Sequence, residues 1–170
     1  MPLDHLWAGW RSDYVGGVGQ DGPGDKGCVF CRILASQGSD EDKRVVWRGA
    51  HTVALLNAYP YSTGHLMVMP LRHVGELEEL TGEESSEVWA AVTAGVVALK
   101  SAFRPDGINV GANLGRSAGA GVPGHFHVHA LPRWSGDTNF MTTVADTRVL
   151  PESLGVTWAK VASSWPPVDR

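Results

Sequence analysis

The run His125-Phe126-His127-Val128-His129-Ala130 restricts this chain more than any other feature, because polar and apolar side chains alternate along it without a break. Successive side chains on a strand point to opposite faces, so the run reads as a half-buried strand. Phe126, Val128 and Ala130 suit a core. His125, His127 and His129 then stand on the other face, about 7 Å apart by strand rise. Three imidazoles in strict alternation read as a reactive row, a metal site, or surface residues that share a face by coincidence. The preceding segment, Asn113 to Gly124, is rich in glycine, and glycines let backbone N–H groups approach a phosphate closely. Asn113 and Ser117 add side-chain donors, so the loop reads as a phosphate cradle or as a flexible hairpin.

A strand of this kind needs a sheet around it, and the rest of the chain supplies one. Val45–Arg48 and Thr52–Asn57 read as a hairpin about Gly49-Ala50-His51, and His65–Met69 as another strand stopped by Pro70. Thr81-Gly82-Glu83-Glu84 is a capping-box signal opening a long helix. Along it Trp89, Val92, Val96, Leu99 and Phe103 share a face, and Arg104-Pro105-Asp106-Gly107 ends it. Ile108–Asn113 reads as a strand, and His125–Leu131 as one closed by Pro132. Cys28–Leu34 reads as a short helix and Pro151–Ala162 as a terminal one. The sum is an α+β domain on an antiparallel sheet of about five strands, with one long helix and one or more short ones.

The chain has 170 residues and fits one domain. It divides into an N-terminal extension over 1–27, a domain over 28–140, and a C-terminal extension over 141–170 packed on it. A net charge of -4 argues against broad nucleic-acid binding, which needs a basic face. No apolar run spans a membrane, and the N-terminus carries no signal-peptide pattern, so a cytoplasmic protein is expected. In that compartment Cys28-x-x-Cys31 points to metal binding, redox chemistry or two reduced, packed thiols rather than a disulfide. The pair needs two more ligands for a closed tetrahedral zinc site, and His73 and His125 are candidates.

The motif His-x-His-x-His followed by apolar residues resembles the signature of the histidine-triad superfamily of nucleotide hydrolases and transferases. Gly64-His65-Leu66-Met67-Val68-Met69-Pro70 with Arg72-His73 looks like its second motif, and the similarity runs from about Cys28 to Trp134. Leu56 to Val68, Arg104 to Gly111 and Pro132 to Phe140 resemble actinobacterial diadenosine tetraphosphate phosphorylases most closely. The resemblance implies a fold and a set of roles. His127 is the nucleophile and forms a covalent nucleotidyl-histidine, with its second ring nitrogen donating to a backbone carbonyl. His129 and His65 support the phosphate oxygens, with Ser117 and the N–H groups of Gly119 and Gly121. Asn57 sits where relatives contact the ribose, and Phe30 and Ile33 line an adenine pocket or are plain core. Cys28, Cys31, His73 and His125 hold a structural zinc, and no organic cofactor is implied.

The implied partners are adenine nucleotides, inorganic phosphate or water as acceptor, and a second copy of the chain. The helix from Trp89 to Phe103 is core or dimer interface, and Trp7, Trp10, Trp134, Trp158 and Trp165 suit a larger assembly. A nucleoside phosphoramidase, a nucleotidylyl-sulfate hydrolase and a nucleotide-binding regulatory protein are the alternatives on the same scaffold. One departure stands out: Ala120-Gly121 occupies the neighbourhood where many relatives carry a glutamine contacting the scissile phosphate, in a loop that looks one residue longer.

Overall fold

Five short apolar segments pair into one antiparallel sheet in the order β1-β2-β3-β5-β4 in this computed structural model, which describes residues 27–137 and 150–167. The strands are β1 (Val45–Arg48), β2 (Thr52–Leu56), β3 (Leu66–Pro70), β4 (Gly107–Ala112) and β5 (Val128–Arg133). Helix α1 (Val29–Ala35) precedes the sheet, α2 (Gly82–Phe103) joins β3 to β4, and α3 (Leu154–Ser163) follows it. The architecture is α+β. Trp7, Trp10 and the extension before Gly27 lie outside the described residues.

The sheet sorts side chains by parity. Ala54, Leu56, Leu66, Val68, Val128 and Ala130, with Phe126 just before β5, point to one face and meet Val88, Ala91, Val92, Ala98 and Leu99 of α2 and Val161 of α3. Val45, Val53, Leu55, Met67 and Met69 point to the other face and meet Cys28 and Phe30 at the start of α1. Met67 pairs with His129 across the ladder, so the histidine row lies on the α1 face, away from the long helix.

Helix α2 starts where its capping box predicts. The Thr81 hydroxyl accepts from the Glu84 N–H, and the Glu84 carboxylate accepts from the Thr81 N–H. Arg104 closes it in a left-handed conformation (φ 46°) ahead of Pro105. Its buried face takes in Val92 and Leu99 of the large-residue stripe read from the sequence, with Phe103 packed against it, but not Trp89. Trp89 is 48% exposed, whereas Val88, Ala91, Gly95 and Ala98 are buried. Small residues let the helix lie low on the sheet: a Cβ on Gly95 would stand 2.5 Å from Leu66 Cδ2.

Pro70 is the last residue of β3, and Pro132 lies one residue inside the end of β5. Pro70 pairs with Thr52 and Pro132 with Ile108. An antiparallel ladder alternates bonded and non-bonded pairs, so a residue without an N–H fits every second position. Helix α3 joins the main core through Val161, Trp158 and Trp165. The Trp158 indole N–H donates to Val45 O at 2.8 Å, and Trp165 stacks on Trp47 with ring centroids 5.7 Å apart. These two tryptophans pack within the chain. No helix among the described residues is long and apolar enough to cross a membrane.

Candidate functional site

The chain leaves the ladder just before β5, and that departure shapes the site. The His125 N–H donates to Val122 O and the Phe126 N–H to Val74 O, so regular pairing begins only at Val128. Freed from strand geometry, the His127 ring turns toward His129, and their centroids are 4.8 Å apart rather than the strand repeat of about 7 Å. His127 Nδ1 stands 2.8 Å from His125 O. A carbonyl only accepts, so the proton sits on Nδ1 and Nε2 carries the lone pair. Burial lowers the His127 pKa, against the pull of that carbonyl, and so keeps the ring neutral.

A second hydrogen-bond chain sets the neighbouring rings. The Tyr61 N–H donates to His65 Nδ1 at 3.1 Å, and the Asn57 amide lies 3.3 Å from the same nitrogen. His65 must then carry its proton on Nε2, which lies 2.8 Å from His129 Nδ1. His129 Nδ1 therefore accepts, leaving an Nε2–H donor beside His127. Desolvation, with the charges of His129 and His127, holds His65 at about 3; desolvation, with His127, holds His129 at about 4. The arrangement offers one basic ring nitrogen and one adjacent N–H donor. That pair can attack phosphorus and stabilise the oxygen that leaves.

The cysteine cluster lies directly behind. The Sγ and Nδ1 ligand atoms of Cys28, Cys31, His73 and His125 all fall within 4.8 Å of one another. His125 Nδ1 is 3.4 Å from Cys28 Sγ and 3.6 Å from Cys31 Sγ, and His73 Nδ1 is 3.5 Å from Cys31 Sγ. Tetrahedral zinc with bonds of about 2.3 Å to sulfur and 2.0 Å to nitrogen sets S···N edges of about 3.5 Å. The four residues fit that ion. His125 Nε2 donates to Pro70 O at 2.9 Å, which leaves Nδ1 unprotonated as a ligand requires. Neither cysteine is in a disulfide.

The residues read as substrate contacts divide. Phe30 is buried and stands edge-on to His125 and His127, with centroids 5.6 and 5.1 Å away. Asn57 closes a turn by accepting the Tyr59 N–H at 2.9 Å. The Asn113 amide donates to Gly119 O and so shapes the glycine loop. In this conformation Gly119 is not the free donor expected, because its N–H is already given to Arg116 O at 2.9 Å. Ser117 stays exposed in the turn Arg116–Ala118, and the Gly121 N–H has no acceptor among the described residues.

The roles of three contributors were not readable in the sequence. Tyr61 sits against both His65 and His129. Pro70 contributes a carbonyl, which no side-chain motif announces. Arg72 grips the buried Glu84 carboxylate with two hydrogen bonds of 2.8 Å and pulls Glu84 down to about 2, anchoring the segment that carries His73 to the start of α2.

Comparison with known proteins agrees with this geometry. The family model described as the HIT domain matches residues 39–136. AP-4-A phosphorylase of Mycobacterium tuberculosis is 42% identical over 165 residues, covering 96% of this chain and 85% of its own. The crystal structure of a hypothetical histidine triad nucleotide-binding protein from Sulfolobus tokodaii superposes with a TM-score of 0.64 at 29% identity, over 81% of this chain and 91% of that one. A Zn-bound histidine triad family protein from Mycobacterium smegmatis shares the fold, with a TM-score of 0.67 at 23% identity, over 84% of this chain and 95% of that one.

Proposed function

The chain belongs to the HIT family, and from that premise we propose that it cleaves dinucleoside polyphosphates through a nucleotidyl-histidine on His127. The observation that carries the reading is the pairing of an Nδ1–H held by His125 O with a lone pair on Nε2. In diadenosine tetraphosphate, Nε2 attacks the phosphorus next to one adenosine. The Nε2–P bond forms, the P–O bond to the rest of the molecule breaks, and ATP departs with that electron pair. In this reading the His129 Nε2–H donates to the departing oxygen, supported by the His65 Nε2–H on His129 Nδ1. An oxygen of inorganic phosphate, or water, then attacks the same phosphorus, and the P–Nε2 bond breaks. Phosphate yields ADP and water yields AMP.

Among the substrate contacts, Ser117 and the Gly121 N–H are the donors left for phosphate oxygens. Phe30 covers the nucleophile from the α1 side, with its edge toward the base. Asn57, Asn113 and Gly119 serve the site by shaping turns, with Asn57 facing the ribose. Cys28, Cys31, His73 and His125 hold zinc, which when bound would cross-link α1 to the segment before β5. Its effect on the chemistry is positional, because the His125 carbonyl orients His127. The edge strand β4 and the exposed Trp89 face a second copy in a homodimer.

The test is incubation with diadenosine tetraphosphate, with and without inorganic phosphate. ADP plus ATP appearing only with phosphate supports a phosphorylase, and AMP plus ATP from water supports a hydrolase. Cleavage of a nucleoside phosphoramidate with neither of these would replace the substrate class. Full activity in His127→Ala would remove the mechanism.

A further inference from the structure

We infer that Tyr61 is a positioning residue of the histidine pair: its backbone N–H selects the tautomer of His65, and its ring shields His65 and His129 from water. The inference rests on the reading that His129 donates to the departing oxygen. It concerns what makes that donor available.

The geometry is specific. The turn Tyr59-Pro60-Tyr61-Ser62 folds back on the start of β3, with the His65 N–H bonded to Ser62 O at 3.1 Å and the Tyr59 N–H to Asn57 Oδ1. This aims the Tyr61 N–H at His65 Nδ1. The same residue lays its ring over the pair, with its centroid 4.5 Å from that of His65 and 6.1 Å from that of His129, tilted by 45° and 32°. A proton on His65 Nδ1 would face the Tyr61 N–H and the Asn57 amide, donor against donor. With that position closed, His65 must donate through Nε2, and His129 must carry its own proton on Nε2. A water able to reach these rings would stabilise the imidazolium and loosen the assignment.

Of the other groups around His65, the Asn57 amide shares in closing Nδ1. His129 approaches from the β5 side with its own midpoint held low by desolvation, and His127 stands beside it with a pKa that burial also lowers. Asn57, at the end of β2, has no titrating group. Glu152, from the segment before α3, lines the small gap beside His65 but is tied to Lys160 and Thr157.

Long-range proton–nitrogen NMR on the full chain reads the imidazole tautomers and midpoints directly, without substrate. The expected wild-type spectrum shows both His65 and His129 protonated on Nε2. Nδ1 protonation of either would overturn the inference. In Tyr61→Ala the His65 midpoint should rise by about one unit or more, as water reaches the ring. kcat should fall with little change in KM. Tyr61→Phe keeps both the N–H and the ring and should keep the wild-type His65 tautomer and midpoint. Unchanged midpoints in Tyr61→Ala would overturn the shielding role, and Tyr61→Phe as impaired as Tyr61→Ala would assign the effect to the phenol hydroxyl instead. Should Tyr61→Ala fail to fold, Tyr61→Leu replaces it, with an intermediate midpoint expected and a wild-type midpoint counting against the ring. Failure of the nucleotidyl-histidine reading shows separately, as activity retained in His127→Ala while these spectra behave as stated.

Discussion

Replacing Gly64 by alanine tests how tightly the turn before His65 is built. Gly64 has φ +79°, and a Cβ there would stand 2.9 Å from Phe103 Cε2, 3.1 Å from Pro132 Cγ and 3.2 Å from Leu99 Cδ2. Two costs add. Holding a non-glycine residue in the left-handed region costs about 1–2 kcal/mol. Forcing a methyl into a filled space costs roughly 1–3 kcal/mol. Against them, alanine stiffens the unfolded chain and returns about 0.4–1 kcal/mol. The balance is a loss of about 1–5 kcal/mol, centred on ~3 kcal/mol. For a chain of this length each kcal/mol moves the melting midpoint by about 2–4 °C, so a fall on the order of 5–15 °C is expected. Chemical denaturation at pH 7 reads the free energy, and a thermal melt reads the midpoint. Phe103→Leu in the same chain separates the two costs, because it removes the nearest atom but leaves φ unchanged. The double variant should recover about 1 kcal/mol relative to the sum of the singles. A Gly64→Ala protein within about 0.5 kcal/mol of wild type, the usual size of a neutral surface change, would refute the packing argument.

Three further outcomes follow from the same geometry. Protein purified without added metal should carry close to one zinc per chain, and a strong chelator should lower its melting temperature. Less than about 0.2 zinc per chain would discard the ion, since a closed site retains it. His65 and His129 are held at about 3 and 4, so the folded state binds fewer protons than the unfolded state below pH 6.5. Stability should therefore fall as pH drops from 6.5 toward 4, by at most about 1.4 kcal/mol per pH unit for each histidine. A denaturation midpoint that stays flat between pH 6.5 and 5 would contradict their burial as neutral rings. Trp158→Phe leaves Val45 O without its donor and should cost about 1–3 kcal/mol by chemical denaturation, with α3 exchanging its amide protons faster.

The alternation from His125 to Ala130 made the strand and its two faces legible, because period-two patterning is a property of neighbouring residues alone. The long helix was legible from Thr81 and Glu84 for the same reason: a capping box closes within one turn. Its buried face was legible only in part: Val92 and Leu99 are buried as the spacing predicts, but the choice of Val88, Ala91 and Gly95 over Trp89 depends on how low the helix lies over Leu66. The four cysteine and histidine ligands were named from spacing and resemblance. Their closeness needed the sheet, which carries His73 and His125 back to the start of α1.

The histidine row shows the same division. Sequence alone placed three imidazoles on one face and, through resemblance, gave His127 the role of nucleophile and His125 that of ligand. It could not say which nitrogen of each ring holds the proton, because the partners that decide this are distant in the chain or belong to the backbone. His65 reaches His129 across 64 positions, and His125 reaches the Pro70 carbonyl across 55. Only the folded sheet brings those atoms within hydrogen-bonding distance, and a ring's tautomer follows from what its other nitrogen touches.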